Sequence, residues 1–250
     1  MNIAIVTGAS SGMGRYFSVM LPHFFTDLDE IWIIARRRSR LLKLKEKISI
    51  PVKIIPGDLL DNLTYEELSN NLKESKCTVK VLVNCAGYGK SGGFKDISLE
   101  DNKVQSEMVQ LNCTSLTRMT EVCIPYLSSG SRIINLASSA AFCPQPHFAV
   151  YAASKAYVLS FSRALGHELK GKGIYVTSVC PGPVDTEFFN VSGGVSLGVK
   201  KLFMAKPEKV VSKAIKDSIK KKELSIYGAP MKISHIASKI LPVRLMMKLF

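Results

Sequence analysis

The sequence predicts an α/β fold in which a parallel sheet is covered by helices on both faces. Short β-branched apolar runs alternate with longer segments of helical period, which is typical of βαβ units. Strands buried on both faces read as continuous apolar runs, so a doubly wound parallel sheet is expected. Six segments fit this description: Ile3–Thr7, Ile31–Ala35, Val52–Pro56, Val79–Val83, Arg132–Leu136 and Ile174–Val179.

Three helix starts are visible in the sequence. Thr64-x-x-Glu67 and Ser98-x-x-Asp101 have the spacing of a capping box, in which side chains bond to free N–H groups of the first turn. Pro207 has the position of a proline that opens a helix. These signals place helices after the third, fourth and sixth predicted strands.

Length and composition indicate one domain over residues 1–250. The chain is 46% hydrophobic and 22% charged, within the range of globular proteins. A chain of this size can bury a core without a disulfide or metal. No apolar run approaches the roughly 20 residues that span a bilayer, and the first residues lack a basic region and cleavage site. We therefore expect a cytoplasmic protein.

The cysteines and histidines indicate neither disulfides nor a metal site. Six cysteines are scattered without a Cys-x-x-Cys pair, so we expect buried, reduced thiols. The four histidines show no metal-ligand spacing.

The formal net charge of +14 suggests an anionic partner, such as nucleic acid, a membrane surface or an anionic small molecule. The excess is concentrated in residues 36–47 and from residue 195 to the end. Nucleic-acid binding is disfavoured because these basic residues are not interleaved with aromatic residues on strands.

The first strand runs directly into a glycine-rich turn that precedes a helix. Gly8, Gly12 and Gly14 have the spacing Gly-x-x-x-Gly-x-Gly. Glycines here permit a tight turn and let the backbone approach a pyrophosphate, while the helix N-terminus supplies free N–H groups. The turn therefore favours a dinucleotide site over a simple connection.

The end of the second strand indicates which dinucleotide is bound. An NAD unit places an acidic residue about 20 residues beyond the glycines, whereas an NADP unit places Arg near the 2′-phosphate. Here Ala35 is followed by Arg36, Arg37 and Arg38, with no acid. We expect NADP(H) bound by Arg36 and Arg37, with Arg36 favoured because it is nearest the strand. Arg38 and Arg40 are interpreted as a solvated helix start.

A candidate catalytic pair follows the fifth strand. Tyr151 and Lys155 lie four residues apart on a helix predicted to reach about Lys170, so they share a face. A phenol has an unperturbed pKa near 10, and a nearby cation lowers that pKa. Tyr151 is therefore a candidate general acid and base. The spacing alone is common by chance, and its weight comes from the motifs around it.

Together these motifs resemble the short-chain dehydrogenase/reductase family from Met1 to about Tyr227. The matching residues are Thr7–Gly14, Asp58-Leu59, Asn84-Cys85-Ala86-Gly87, Asn112, Ser138, Tyr151, Lys155 and Pro181–Thr186. The resemblance implies a single Rossmann-fold domain with about seven strands, the seventh near Leu224–Tyr227. It also implies hydride transfer between a nicotinamide and an alcohol or carbonyl carbon, and a homodimer or homotetramer.

The resemblance also implies residue roles. Tyr151 would protonate the carbonyl oxygen and Ser138 would hydrogen-bond it. Lys155 would hold the nicotinamide ribose and lower the pKa of Tyr151, and Asn112 would keep a water against Lys155. Cys85 stands where the family usually has Asn. Further cofactor contacts are expected at Gly8, Ser10, Ser11, Gly12, Met13, Gly14, Asp58, Leu59, Asn84, Ala86, Gly87, Pro181, Gly182, Val184 and Thr186.

Apolar residues dominate the segments that border the substrate in this family, including the expected substrate loop 183–205. They are Phe142, Phe148, Phe188, Phe189, Leu197, Phe203 and Met204. Such a wall fits a hydroxysteroid or a long-chain ketone, and the sequence does not choose between them. His147, between Ser138 and Tyr151, is interpreted as a surface or packing residue, with contact to the substrate as the alternative. The alternatives are a catalytically idle NADP-binding sensor or scaffold, and a peripheral membrane protein that acts through its basic tail.

The tail, residues 230–250, contains an amphipathic pattern. Its apolar positions are Ile233, Ile236, Ala237, Ile240, Leu241, Leu245, Met246 and Leu249, and its basic positions are Lys232, Lys239, Arg244 and Lys248. Pro242 interrupts the stripe. We favour a helix that packs this stripe on the edge of the core. The alternative is a segment that covers the substrate mouth or lies on an anionic lipid surface.

Overall fold

The computed structural model describes residues 1–188 and 204–248, which contain a parallel sheet of seven strands. The strands are β1 (Asn2–Thr7), β2 (Glu30–Ala35), β3 (Val52–Pro56), β4 (Thr78–Asn84), β5 (Arg132–Leu136), β6 (Tyr175–Val179) and β7 (Leu224–Ser225). Their order is β3-β2-β1-β4-β5-β6-β7, and every neighbouring pair is parallel. The predicted fold class is confirmed. The order reverses between β1 and β4, where doubly wound sheets bind ligands.

Helices connect the strands and cover both faces of the sheet. They are α1 (Gly12–Phe24), α2 (Arg38–Lys45), α3 (Asn62–Ser75), α4 (Phe94–Glu100), α5 (Val104–Val109), α6 (Ser115–Cys123), α7 (Ala149–Lys170), α8 (Pro207–Ile219), α9 (Ala229–Ile240) and α10 (Val243–Met247). A π-helical turn, Gln110–Thr114, joins α5 to α6, and 3₁₀ turns cover Ile124–Tyr126 and Ser139–Phe142. Pro207 opens α8 as predicted.

β1 shows how the sheet divides the core into two layers. Ala4 and Val6 pack with residues of α1, α2 and α8 on one face. Ile3 and Ile5 pack with residues of α3, α6 and α7 on the other. All four side chains are fully buried, as period-two alternation in a strand covered on both faces requires.

Both predicted capping boxes are wrong. α3 begins after Asp61, whose carboxylate accepts a hydrogen bond from the Leu63 N–H at 3.0 Å. Asp is a stronger cap than Thr, and Thr64 therefore lies inside the first turn. Ser98 lies inside α4 and donates to the carbonyl four residues earlier, while Asp101 follows the end of that helix.

The predicted state of the thiols is confirmed, since all six cysteines are buried and free. Within residues 1–188 and 204–248, no group of three or more His, Cys, Asp or Glu side chains could hold a metal ion. Within the same ranges, no helix has both the length and the apolarity needed to cross a membrane.

The favoured interpretation of the tail is correct only in part: Met246 of the apolar stripe is buried and the lysines are exposed, but α9 does not pack its isoleucines on the core. Ile233, Ile236 and Ile240 are all exposed. The opposite side of α9 faces the domain instead. There Met231 lies against Gly182, and the His235 ring lies 4.5 Å from the ring of Phe142, measured between centroids. The inner side thus consists of residues outside the apolar stripe.

A buried carboxylate joins α8 to β7. Asp217 is almost fully buried and accepts hydrogen bonds from Lys213 and Ser225, with a further ion pair to Lys222 at 3.0 Å. Burial raises the pKa of Asp217, but the hydrogen bonds from Lys213, Ser225 and Lys222 outweigh burial and make the net shift downward. The charged form of this carboxylate therefore stabilises the native state.

We expect Asp217→Ala to lower the free energy of unfolding by about 1.5–3 kcal/mol at pH 7, because hydrogen bonds to a buried charge are lost. Urea denaturation measures this change. The matched control is Asp27→Ala, which removes a surface pair with Lys80 and should cost less than about 1 kcal/mol. Because the folded pKa is depressed, the Asp217 effect should shrink as the pH falls below about 4. Equal effects from both variants would contradict this account.

Candidate active site

The turn after β1 places the backbone of Gly8 directly against the backbone at the end of β4. Gly8 has φ +66°, and a Cβ at this position would lie 2.8 Å from the Cα of Ala86. The buried Thr7 hydroxyl accepts hydrogen bonds from the backbone N–H groups of Cys85, at 3.0 Å, and Ala86, at 3.2 Å. Thr7 therefore ties the two strand ends together. Sequence reasoning gave it no role, although a polar residue closing an apolar strand was a signal.

The N-terminus of α1 is open on the side of this turn. Ser11 is the N-cap residue in an extended conformation, and its side chain makes no capping hydrogen bond. Gly12 has φ +50°, and a Cβ there would lie 3.7 Å from the Cβ of Thr186. The segment after β6 thus approaches the glycine turn. Met13 packs against the first core layer.

The arginine at the glycine turn is Arg37, whereas the sequence favoured Arg36. Arg37 donates from Nε and Nη2 to the Ser10 hydroxyl at 3.3 and 3.2 Å. The Arg36 side chain is 72% exposed and lies 3.6 Å from the Asp58 carboxylate. Of the two arginines, Arg37 therefore contacts the glycine turn and Arg36 pairs with Asp58.

Arg40 is not simply solvated, which corrects a second expectation. It donates to both carboxylate oxygens of Glu187 at 2.8 Å, and Arg37 lies 3.4 Å from the same carboxylate. The hydrogen bond from Arg40 lowers the pKa of Glu187. A cleft of about 350 Å³ lies here. It is lined by residues of the glycine turn, the start of α1, α2 and the residues after it, and the segment after β6: Ser10, Ser11, Gly12, Arg15, Tyr16, Arg40, Lys43, Leu44, Lys47, Asp185, Thr186 and Glu187.

Tyr151 and Lys155 lie on the buried side of α7. The Tyr151 ring stacks on Phe148 at 4.3 Å and lies 5.4 Å from Phe188, both measured between ring centroids. Lys155 Nζ lies 5.7 Å from the centroid of the Tyr151 ring and donates to the carbonyl of Leu136 at 2.8 Å. The pair therefore shares one small volume beyond the end of β5, as predicted.

The expected lowering of the Tyr151 pKa by Lys155 is not observed. Burial raises the pKa of Tyr151 to about 12, and a hydrogen bond with Ser138 acts in the opposite direction. Burial also lowers the pKa of Lys155 to about 8. Both groups are thus pushed toward their neutral forms, because transfer out of water disfavours either charge.

The π-helical turn places Asn112 beside this pair. Its Oδ1 accepts from the Tyr88 N–H at 3.1 Å, and its Nδ2 donates to the Tyr88 carbonyl at 2.9 Å and to Ser154 Oγ at 3.0 Å. A Cβ at Gly87 would lie 2.6 Å from Asn112 Oδ1 and 3.4 Å from Lys155 Nζ. The absence of a side chain at Gly87 therefore lets its backbone fit between Asn112 and Lys155. Such turns are frequent at functional sites.

Two residues expected at the cofactor have buried surroundings. Asn84 donates to Thr120 Oγ1 at 3.1 Å and to Asn135 Oδ1 at 2.9 Å, in a polar chain beneath the strand ends. The Leu59 side chain lies in the second core layer. Its neighbour Asp58 caps the following turn by accepting from the Leu60 N–H at 3.1 Å. Asn84 and Leu59 are therefore held in the buried interior, and the Asp58 carboxylate is engaged in a local turn.

The segment after β6 is anchored beside the candidate catalytic pair, Tyr151 and Lys155. Pro181 accepts a hydrogen bond from the Ser139 N–H at 2.8 Å. Val184 forms an isolated bridge with Ala205. Of the apolar wall, Phe142, Phe148, Phe188 and Met204 lie in the described part of the chain. Phe189, Leu197 and Phe203, with most of the expected substrate loop 183–205, lie outside the described residues, as does Leu249 of the tail.

Comparison with known proteins identifies the family. The family model for short chain dehydrogenase matches residues 2–193. The chain therefore belongs to the short-chain dehydrogenase family, and it is an oxidoreductase that acts on alcohol or carbonyl groups.

Named relatives have different substrates. Sulfoacetaldehyde reductase 2 of Chromohalobacter salexigens is 34% identical, over 77% of this chain and 77% of that protein. The 17-beta-hydroxysteroid dehydrogenase type 3 of Mus musculus is 29% identical, over 73% of this chain and 60% of that protein. A solved structure of serine dehydrogenase in its closed form with NADP+ is 28% identical, with a TM-score of 0.75 over 90% of this chain and 94% of that one.

The buried ammonium of Lys155 predicts a pH-dependent cost to stability. Its pKa is about 8 in the folded protein and 10.5 without burial, so the unfolded chain binds more protons between those values. The cost is fully present below about pH 8 and vanishes as the pH rises through the unfolded value.

We therefore expect the parent protein to gain about 2 kcal/mol of unfolding free energy relative to Lys155→Met between about pH 8 and pH 10. Urea denaturation across this range measures the gain. Lys170→Met, at an exposed position of the same helix, should show no such trend relative to the parent. A stability difference between parent and Lys155→Met that does not change with pH would contradict the burial of this charge.

Proposed function

We propose that the protein is an NADP(H)-dependent oxidoreductase that interconverts a ketone or aldehyde with an alcohol on an apolar substrate. One observation carries the proposal: Ser138, Tyr151, Lys155 and Asn112 converge at the carboxyl edge of the sheet, beside the bare glycine turn. An idle sensor or scaffold, the alternative from the sequence, needs none of these four side chains.

The residues at the glycine turn fit a dinucleotide that carries a 2′-phosphate. The uncapped start of α1 and the close approach of Gly8 to Ala86 suit a pyrophosphate. Arg37 and Arg40 already converge on the anionic carboxylate of Glu187, so their positions suit another anion. When bound, the nicotinamide cofactor supplies or accepts the hydride. Binding of NADP+ by the structurally similar serine dehydrogenase supports this choice.

Tyr151 acts as the proton donor in the direction of reduction. Because burial raises its pKa to about 12, the phenol holds its proton at neutral pH until a carbonyl oxygen takes on negative charge. Ser138 donates a hydrogen bond to the same oxygen. Lys155 is mostly charged at pH 7, and its cation stabilises the phenolate that remains. Asn112 holds the backbone around Gly87 that separates it from Lys155.

The surroundings of Tyr151 favour an apolar substrate. Phe148 and Phe188 lie against its ring, so apolar surface surrounds the proposed proton donor. A substrate that is hydrophobic beyond its carbonyl group would bury this surface. The hydroxysteroid dehydrogenase among the relatives supports such a substrate, whereas the sulfoacetaldehyde reductase represents a small anionic one. A panel of hydroxysteroids, long-chain ketones and small aldehydes separates these possibilities.

The arginines should set the cofactor preference. We expect kcat/KM to be roughly a hundredfold higher with NADPH than with NADH. Arg37→Ala should reduce that ratio about tenfold or more, because a charge-assisted bond to the phosphate is lost. Arg38→Ala, an exposed neighbour, is the control and should leave the ratio unchanged. Equal use of both cofactors by the parent would refute the NADP assignment.

Removing the Tyr151 hydroxyl should stop turnover without preventing cofactor binding. We expect Tyr151→Phe to lower kcat about 10²–10⁴-fold, the usual contribution of a general acid. Fluorescence titration with NADPH should give a Kd close to that of the parent. Tyr157→Phe is the matched control on the same helix, since its hydroxyl bonds only Thr117 among the contacts observed. Near-normal turnover by Tyr151→Phe would assign the proton to another group.

A further inference from the structure

Helix α9 presents its apolar side to the outside of the molecule. Ile233, Ile236 and Ile240 are 66%, 57% and 74% exposed. Their spacing of three and four residues places them in one stripe. On the opposite side, Met231 and His235 contact the domain. A helix that packs on its own core buries its apolar stripe, so this orientation leaves the stripe available to something else.

The exposed apolar surface continues past the end of α9. Leu241, Val243 and Leu245 are also exposed, whereas Met246 is buried and anchors α10 to the domain. Six large apolar side chains are thus exposed between residues 233 and 245, in α9, in α10 and at the junction between them. We call this surface the tail face, comprising Ile233, Ile236, Ile240, Leu241, Val243 and Leu245. Contiguous exposed apolar surface of this kind marks interaction sites, whereas isolated exposed side chains do not.

Basic residues accompany the tail face, and acidic residues are missing from this part of the sequence. Lys232 and Lys239 lie seven residues apart, on one side of the isoleucine stripe, and both are exposed. Arg244 and Lys248 follow in and after α10. No Asp or Glu occurs in the printed sequence after Glu223. The tail face is therefore apolar at its centre and cationic at its edge.

We propose that the tail face binds an anionic lipid surface. An amphipathic helix with a cationic edge lies in the plane of the headgroups, with its apolar side toward the acyl chains and its lysines on the anionic headgroups. The isoleucine stripe of α9 and its neighbouring lysines have this distribution. The proposal does not depend on the substrate of the enzyme.

Charge argues against a second copy of this chain as the occupant. A two-fold dimer through the tail face would bring Lys232 and Lys239 of both copies to one interface, without a carboxylate from this part of the chain to pair with them. An anionic bilayer offers the opposite charge together with an apolar interior. An anionic lipid surface therefore matches both the apolar centre and the cationic edge of the tail face.

Vesicle co-sedimentation of the full-length protein tests the proposal. The probes are vesicles of phosphatidylglycerol mixed with phosphatidylcholine, and vesicles of phosphatidylcholine alone. We expect binding to the anionic vesicles, at least tenfold weaker binding to the neutral ones, and weakening of the anionic binding by added salt. Failure of the parent protein to bind anionic vesicles would overturn the proposal.

Two pairs of variants separate the apolar and the charged contributions. Ile233→Ser with Ile240→Ser should weaken vesicle binding at least tenfold. Leu63→Ser with Leu99→Ser removes two side chains of matched exposure, 66% and 77%, from other faces and should have no effect. Lys232→Glu with Lys239→Glu should abolish the preference for anionic vesicles. The control is Lys170→Glu with Lys172→Glu, at exposed positions at the end of α7 and just after it. This control should retain the preference for anionic vesicles.

Two control measurements accompany the vesicle assay, and two further outcomes would overturn the proposal. Light scattering gives the oligomeric state, and thermal denaturation shows whether each variant folds. If the isoleucine variant dissociates an oligomer while leaving vesicle binding intact, the tail face is an interface between copies and the proposal is wrong. Equal loss of vesicle binding in the leucine control would also overturn it, because adsorption would then not depend on the tail face.

Discussion

The close approach of β1 and β4 is the constraint on which the site depends. Gly8 lies so near the backbone of Ala86 that no side chain fits between them, and the Thr7 hydroxyl holds the two strand ends together. This contact lies at the switch point of the sheet, where the connections diverge to either side. This contact sets the positions of the start of α1, the Gly87 backbone and the π-helical turn that contains Asn112. Loss of this contact would separate the glycine turn from the proposed catalytic side chains.

Chemistry at the site is set by burial more than by attraction between neighbouring charges. Burial keeps the Tyr151 phenol protonated and weakens the hold of Lys155 on its proton, so each group favours its neutral form. A donor that retains its proton until a carbonyl oxygen becomes basic is suited to reduction. The same burial makes the charged form of Lys155 unfavourable and lowers the stability of the folded protein. Active sites commonly trade stability for function in this way.

The sheet and the motifs were accessible from the sequence because they rest on local patterns. The strands were predicted from short runs of apolar, β-branched residues. The predicted segments agree with the observed strands to within about two residues at each end. The positions of Tyr151 and Lys155 on one helix follow from their spacing. The choice of Asp61 over Thr64 as a cap did not follow, because both are plausible caps in the same turn.

Contacts between distant segments could not be predicted in the same way. The pairing of Arg40 with Glu187 joins residues 147 positions apart, and it depends on how the segment after β6 crosses the glycine turn. The outward orientation of Ile233, Ile236 and Ile240 depends on which side of α9 meets Phe142 and Gly182. An amphipathic pattern shows that a helix has two sides. It does not show which side faces the domain.

The proposed reaction is the transfer of a hydride between a nicotinamide and a carbonyl carbon. The most direct test uses NADPH deuterated at the transferable position, with a panel of steroid and long-chain ketones, and mass spectrometry of the alcohol formed. We expect an alcohol that carries one deuterium on the former carbonyl carbon, formed by the parent protein and formed in much smaller amount by Tyr151→Phe. Oxidation of the cofactor without deuterium in an alcohol product, or no reaction with any carbonyl compound, would contradict it.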